Sequence, residues 1–163
     1  MLQIPSAVLA QMHAHLAHGY PNEACGLLLG LDIDLPERDG MPCCVVQRLE
    51  LVANVADKPS AFESHTPGSL RNRYLISPDD YVRADRAARA VNLDIVGVFH
   101  SHPDHAAMPS AEDLRTAWPC MSYVIVSVAR GVVHDTRSWR LATDGARFEP
   151  EIIEMCEAAP GHH

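Results

Sequence analysis

Two histidines, His100 and His102, stand two residues apart at the end of the apolar run Asp94-Ile95-Val96-Gly97-Val98-Phe99. Side chains two apart on a strand point to one face, so these imidazoles sit side by side while Ser101 turns the other way. A pair of imidazoles begins a zinc site, which takes nitrogen ligands at about 2.0–2.1 Å. Pro103 ends ladder pairing, and the loop after it can return a third ligand. Asp113 is the acid at hand. Three protein ligands and one open position is the pattern of a catalytic zinc centre. Each piece also has a plainer reading. H-x-H pairs often hydrogen-bond inside a core, and Ser110-x-x-Asp113 is what a helix capping box looks like. The capping and ligand readings of Asp113 are compatible, since a first-turn acid can face a metal while Ser110 holds the turn.

The elements that position these groups follow from hydrophobic spacing. Pro5 suits the first position of a helix, and Ile4, Val8, Leu9, Met12 and Leu16 recur at helical intervals. Gly19 and Pro21 stop that helix. His13, His15 and His18 share no face and read as surface or boundary residues. Ala24-Cys25-Gly26-Leu27-Leu28-Leu29-Gly30 is a buried strand, followed by a polar turn over residues 32–41 and a second strand over 44–52. Residues 54–77 lack periodicity and carry Pro59, Pro67 and Gly68, which predicts a long functional or mobile loop. Ser77-Pro78-Asp79-Asp80 opens a helix running to about Val91. The Asp94–Phe99 run predicts a central strand covered on both faces. Ser110 caps a short helix reaching about Trp118. Strands at 123–128 and 136–142 follow, with turns at Arg130-Gly131 and Asp144-Gly145. An edge segment interrupted by Pro150 ends near Ile153. The fold class is a mixed α/β domain of two or three layers over residues 1–155, with a C-terminal tail at 156–163.

Composition narrows the function classes. The 163 residues suit one domain, with 47% hydrophobic and 21% charged side chains. A net charge of -8 disfavours a nucleic-acid partner held by phosphate contacts. No apolar run approaches the ~20 residues of a membrane helix, and no basic region precedes an apolar block at the N-terminus. The five cysteines are odd in number and lack C-x-x-C spacing, which points to reduced, mostly buried thiols and a cytoplasmic location. His162 and His163, at the extreme C-terminus, are set aside from the chemistry.

Taken together, the motifs are more specific than any one of them. Glu23 precedes the glycine-bounded strand. Far downstream come His100-Ser101-His102-Pro103, six residues, then Ser110-x-x-Asp113. This arrangement resembles the JAMM (MPN+) metallopeptidase family, with no gap or substitution in the motif. Asn54 followed by Pro59 and Phe62, and Ile76-Ser77-Pro78, are similar to the family's intervening segment. The resemblance spans roughly residues 5–130. It implies a cytidine-deaminase-like fold, a central mixed sheet flanked by helices. It further implies one zinc ion held by His100, His102 and Asp113, Glu23 as general base, and Ser110 stabilising the oxyanion. The implied substrate is a ubiquitin-like or sulfur-carrier β-grasp protein ending in Gly-Gly, cut at the amide after the glycines, with residues 54–77 shaping the groove. The alternative is a non-peptidase relative, either a scaffold or a RadC-like protein associated with nucleic acid. A zinc deaminase is disfavoured because H-x-E and P-C-x-x-C are absent. Among neighbouring residues, Ser101 is expected to give hydrogen-bond support and Cys25 to pack. Asp104 and His105 are expected in a solvated loop, His65 has no ligand-like spacing, and Trp118 is expected in the core.

Overall fold

The computed structural model describes residues 1–35, 41–58 and 69–157. In chain order the elements are β1 (Leu2–Pro5), α1 (Ser6–Gly19), β2 (Cys25–Leu35), β3 (Met41–Val52), α2 (Pro78–Arg89) and β4 (Asp94–Pro103). After these come α3 (Ala111–Thr116), β5 (Ser122–Ala129), β6 (Val132–Leu141), β7 (Phe148–Glu151) and β8 (Ile153–Cys156). The strands form one mixed sheet in the order β7-β6-β5-β4-β2-β3-β1-β8. β4 pairs antiparallel with β2 and parallel with β5, so it lies mid-sheet, with every residue from Val96 to Pro103 buried. β7 and β8 lie on opposite edges yet only Ile152 separates them in sequence. The sheet therefore curls until its edges meet. Arg140 on β6 reaches Cys44 Sγ on β3 at 3.4 Å, and the Leu2 N–H donates to the Ile152 carbonyl at 2.8 Å.

Two apolar clusters cover the two faces, giving three layers. One gathers Leu2, Ile4, Leu28, Phe99 and Val126 under Met12 and Leu16 of α1. The other gathers Leu27, Leu29, Val98 and Ile125 under Ala84 and Ala88 of α2. Alanines let α2 approach the sheet closely. Ser77 caps α2 by accepting from the Asp80 N–H at 3.1 Å, with Asp79 and Asp80 at the positive end of the helix dipole. In β4, Leu28 pairs with Gly97 but Leu29 pairs with Ile95, so Val96 is the extra residue of a β-bulge. The bulge lets Val96 face the α1 side while Val98, His100 and His102 share the α2 side.

Several expectations need correction. Pro5 is not the first residue of a helix. It ends strand β1 and precedes α1 with an extended backbone (φ -62°, ψ 139°). Ile4, counted toward a helical face, is buried in the sheet because β1 lies parallel between β3 and β8. Strand pairing there overrides local spacing. The expected turn at 32–41 is narrower, since β2 continues to Leu35 and β3 starts at Met41. Trp118 is not a core residue: it is 59% exposed and stacks flat on Tyr81, with ring centroids 5.8 Å apart. Pro59, Phe62, His65, most of the 54–77 loop's middle and the end of the C-terminal tail lie outside the described residues.

Gly26 sits opposite Phe99, the residue before His100. A Cβ there would run into the Phe99 ring and approach the Glu50 carbonyl oxygen to 2.7 Å. Phe99 is fully buried and cannot swing into solvent. Gly26→Ala should therefore destabilise the domain by about 1–3 kcal/mol, read as a lowered urea midpoint at unchanged slope. An unchanged midpoint would contradict this packing.

Candidate metal centre and active site

The site begins with a register. β2 and β4 run antiparallel with Cys25 opposite His100, so two residues further along Glu23 lies across from His102. The pairing continues past the end of β2: the Ser101 N–H donates to the Ala24 carbonyl at 3.0 Å, and the Ala24 N–H donates to Ser101 Oγ at 2.9 Å. Ser101 thus gives hydrogen-bond support, facing away from the imidazoles. His15 of α1 donates to the Cys25 carbonyl at 3.0 Å. The Glu23 N–H donates to the Leu70 carbonyl at 2.6 Å. Asn54 ties this corner together. Its Nδ2 donates to the carbonyls of Glu23 and Arg73, both at 2.9 Å, and its Oδ1 accepts from the N–H groups of Ala56 and Leu75 at 3.0 and 3.1 Å. All four hydrogen-bonding positions of that amide are filled.

His100 Nε2 and His102 Nε2 lie 3.0 Å apart, and Asp113 oxygens approach them at 3.1 and 3.5 Å. The contacts to the two imidazoles are made by Oδ1 and Oδ2 respectively, one ligand atom from each residue lies within 4.8 Å of the others, and all three residues are buried. A tetrahedral ion with bonds near 2.0–2.1 Å needs ligand edges of about 3.3 Å, so the spacing and the two-nitrogen, one-oxygen donor set fit a metal such as zinc. His102 Nδ1–H donates to the Ala106 carbonyl at 3.0 Å, which fixes the ring and leaves the Nε2 lone pair facing the cluster. Tyr74 stacks on His100, with centroids 4.2 Å apart and planes at 25°. His100 Nδ1, on the other side of its ring, is buried with no hydrogen-bond partner among the described residues.

Asp113 arrives from the first turn of α3, which closes a reciprocal capping box. Ser110 Oγ accepts from the Asp113 N–H at 3.1 Å, and the Ser110 N–H donates to Asp113 Oδ2 at 2.7 Å. The Ser110 hydroxyl donates to the same oxygen at 2.6 Å. Burial alone would raise the Asp113 carboxyl, but both imidazoles and the serine hydroxyl hold it well below the usual carboxylate range. Burial lowers His100, with Asp113 opposing. His102 is raised despite its burial, because of its hydrogen bonds to Asp113 and Ala106. Glu23, 7% exposed, has no such compensation. Burial pushes its carboxyl up to about 8, against the pull of His102 and with the push of Asp113.

Glu23, Ser110 and Asp113 line one cleft with Arg73, Tyr74 and Thr116. Tyr74 and Thr116 also line an adjoining apolar cavity of about 470 Å³, walled by Ile76, Tyr81, Trp118 and Tyr123. The five expected site residues are therefore assembled at one place. Others are not part of it. Cys25 is fully buried, and its burial pushes the thiol up to about 12, which leaves it inert. Asp104 and His105 are exposed in the loop after β4, where Asp104 accepts from the Tyr20 hydroxyl at 3.0 Å. Tyr74, Arg73 and the Ala106 carbonyl join the site without any motif that marks them.

Several known proteins have similar sequences. A CysO-cysteine peptidase from Mycobacterium tuberculosis is 27% identical over 161 residues, 95% of this chain and 93% of that protein. A desampylase from Haloferax volcanii is 31% identical over 122 residues, 74% of this chain and 73% of that protein. The solution structure of a protein from Salinibacter ruber is 39% identical, covers 100% of this chain and 97% of its own, and superposes with a TM-score of 0.67. The family described as prokaryotic homologs of the JAB domain matches residues 5–142, which include every strand that carries a site residue, and the chain belongs to that family.

Proposed function

We propose that this chain is a zinc-dependent peptidase that hydrolyses the amide bond after the C-terminal Gly-Gly of a ubiquitin-like or sulfur-carrier β-grasp protein. The observation that carries the reading is the His100–His102–Asp113 cluster, whose Asp113 shares a cleft with the buried Glu23 carboxyl, itself placed across from His102 by the strand register. The names of the relatives, a CysO-cysteine peptidase and a desampylase, support the substrate class. The two Nε2 atoms and the Asp113 carboxylate would hold one ion per chain, which would supply Lewis acidity toward a carbonyl or water. Glu23 acts as general base and then general acid, taking a proton from the attacking water and returning it to the leaving amine. A carboxyl that burial raises in the metal-free fold, and that a nearby dication would draw back toward its ionised form, suits both roles. Ser110 stabilises the oxyanion by turning its hydroxyl from Asp113 to the substrate, while its N–H keeps Asp113 Oδ2 partnered. Glycines suit a tail threaded beside Tyr74 because they carry no side chain into the cleft. The adjoining cavity receives an apolar part of the carrier, with Trp118 and the 49%-exposed Val82 at its mouth. The buried thiols of Cys25, Cys43 and Cys44 suit a reducing cytoplasm.

Glu23→Gln should lower turnover about 100- to 10 000-fold at unchanged zinc stoichiometry, read by intact mass of a carrier bearing a C-terminal extension. Turnover within threefold of the unmodified protein would remove Glu23 from the mechanism. The same variant has a pH signature in metal-free protein. Folding raises the Glu23 carboxyl from 4.5 to about 8, so between those values the folded state binds more protons than the unfolded state. Glu23 therefore costs stability increasingly as pH rises through that window. The melting temperature of Glu23→Gln relative to the parent should climb from pH 5 to pH 8, and a pH-independent difference would refute the raised carboxyl. Trp118→Ala should raise KM for an intact carrier about 10-fold while leaving kcat/KM on a short Gly-Gly peptide unaltered. An equal effect on both would remove the cavity from carrier binding.

A further inference from the structure

The two imidazoles of the cluster are held by different means. A metal-ligating histidine ordinarily donates its second ring N–H to a carbonyl or carboxylate, which fixes tautomer and orientation. His102 does so, through Nδ1 to the Ala106 carbonyl at 3.0 Å. The carbonyls on either side of Ala106 are also fixed: the Ser127 hydroxyl donates to that of His105 at 2.6 Å, and the Trp139 indole N–H to that of Ala107 at 3.1 Å. His100 has no counterpart. Its Nδ1 is buried with no hydrogen-bond partner among the described residues. A neutral imidazole whose Nε2 lone pair faces an ion carries its proton on Nδ1, so this donor goes without an acceptor. The ring also turns about a soft sp³–sp² torsion, and no hydrogen bond on that side resists it.

An aromatic face takes that place. The Tyr74 ring lies against the His100 ring with centroids 4.2 Å apart and planes at 25°, closer than the roughly 4.5–7 Å of most aromatic pairs. Tyr74 is itself held on both sides by one side chain. Asn54 Nδ2 donates to the Arg73 carbonyl at 2.9 Å, and Asn54 Oδ1 accepts from the Leu75 N–H at 3.1 Å, so both peptide groups flanking Tyr74 are pinned. The Val55 N–H adds a bond to the Leu75 carbonyl at 2.9 Å. The tyrosine ring is therefore a fixed plate rather than a loop side chain resting on the histidine by chance. The amide that fixes it is also the one that holds the Glu23 carbonyl.

We propose that Tyr74 is a positioning residue for the metal centre: its ring holds the His100 imidazole at the angle that aims Nε2 at the ion, by stacking where His102 is held by a hydrogen bond. This rests on the zinc reading above and adds to it the support that the His100 ligand otherwise lacks. The stack is a property of the ring's flat face, so phenylalanine supplies it and an aliphatic side chain does not. A purely space-filling Tyr74 would act on folding alone, lowering the stability of the metal-free domain without singling out His100.

The test compares the unmodified protein with Tyr74→Phe and Tyr74→Leu, each prepared metal-free and titrated with zinc against a chromogenic chelator. Tyr74→Leu should raise the zinc Kd about 10- to 100-fold, the scale of losing the orienting partner of a ligating histidine, and Tyr74→Phe should stay within about threefold of the unmodified protein. A zinc Kd unchanged in Tyr74→Leu, or equally weakened in Tyr74→Phe, would overturn the assignment while leaving the zinc reading intact. The unmodified protein supplies a check that needs no variant. In NMR spectra of its zinc-loaded form the His100 ring protons should lie upfield of those of His102, shielded by the tyrosine face. Unshielded His100 protons would overturn the stack, and an unmodified protein that binds no zinc would overturn both readings.

Discussion

The site depends on one backbone register, the antiparallel pairing of β2 with β4 that sets Cys25 opposite His100. Because side chains alternate across a strand, that register delivers Glu23 to the face and the level of His102. A slip of one residue would send the glutamate to the α1 side of the sheet. The fold secures the register several times over. Gly26 leaves room for the Phe99 ring, and the bulge at Val96 resets the alternation just before the histidines. Ser101 extends the pairing with its side chain where the strand itself has ended. The fully hydrogen-bonded amide of Asn54 then ties Glu23 to the segment that carries Arg73 and Tyr74.

The electrostatics divide along the same lines. Asp113 is buried but surrounded by donors, from two imidazoles to the Ser110 hydroxyl and N–H, and it stays ionised. Glu23 is buried beside these groups with no hydrogen-bond donor to its carboxyl among the described residues, and burial raises that carboxyl. Two acids that line one cleft are thereby pushed in opposite directions. The raised carboxyl is stored cost in the metal-free fold. A nearby dication would favour the ionised form.

Much of this was legible in the sequence because the informative residues are close together or lie in regular elements. His100, His102 and the Ser110–Asp113 turn declare themselves by strand and capping-box spacing. Glu23 did not; in isolation it reads as a loop acid after Tyr20-Pro21-Asn22, and only the motif resemblance singled it out. Partnership across the sheet leaves no trace in local spacing, and for the same reason Tyr74, Arg73 and the Ala106 carbonyl were invisible. β1 leaves no local signal because its four residues pair in parallel with strands far away in the chain, and Ile4 fits a helical stripe equally well. An exposed aromatic and a buried one look alike in a string of letters, so the stacking of Trp118 on Tyr81 is visible only in the tertiary structure.

The cleft and the cavity ask different things of a substrate. The cleft is narrow and lined by Glu23, Glu112, Asp113 and Arg73, whereas the adjoining cavity of about 470 Å³ is apolar. A zinc-edge anomalous difference map from a crystal of the zinc-loaded protein reads the ion position among His100, His102 and Asp113. The account predicts one peak bonded at about 2.0–2.1 Å to His100 Nε2, His102 Nε2 and an Asp113 oxygen, with the Glu23 carboxylate facing its open position. A peak elsewhere, or none at that point, would contradict it.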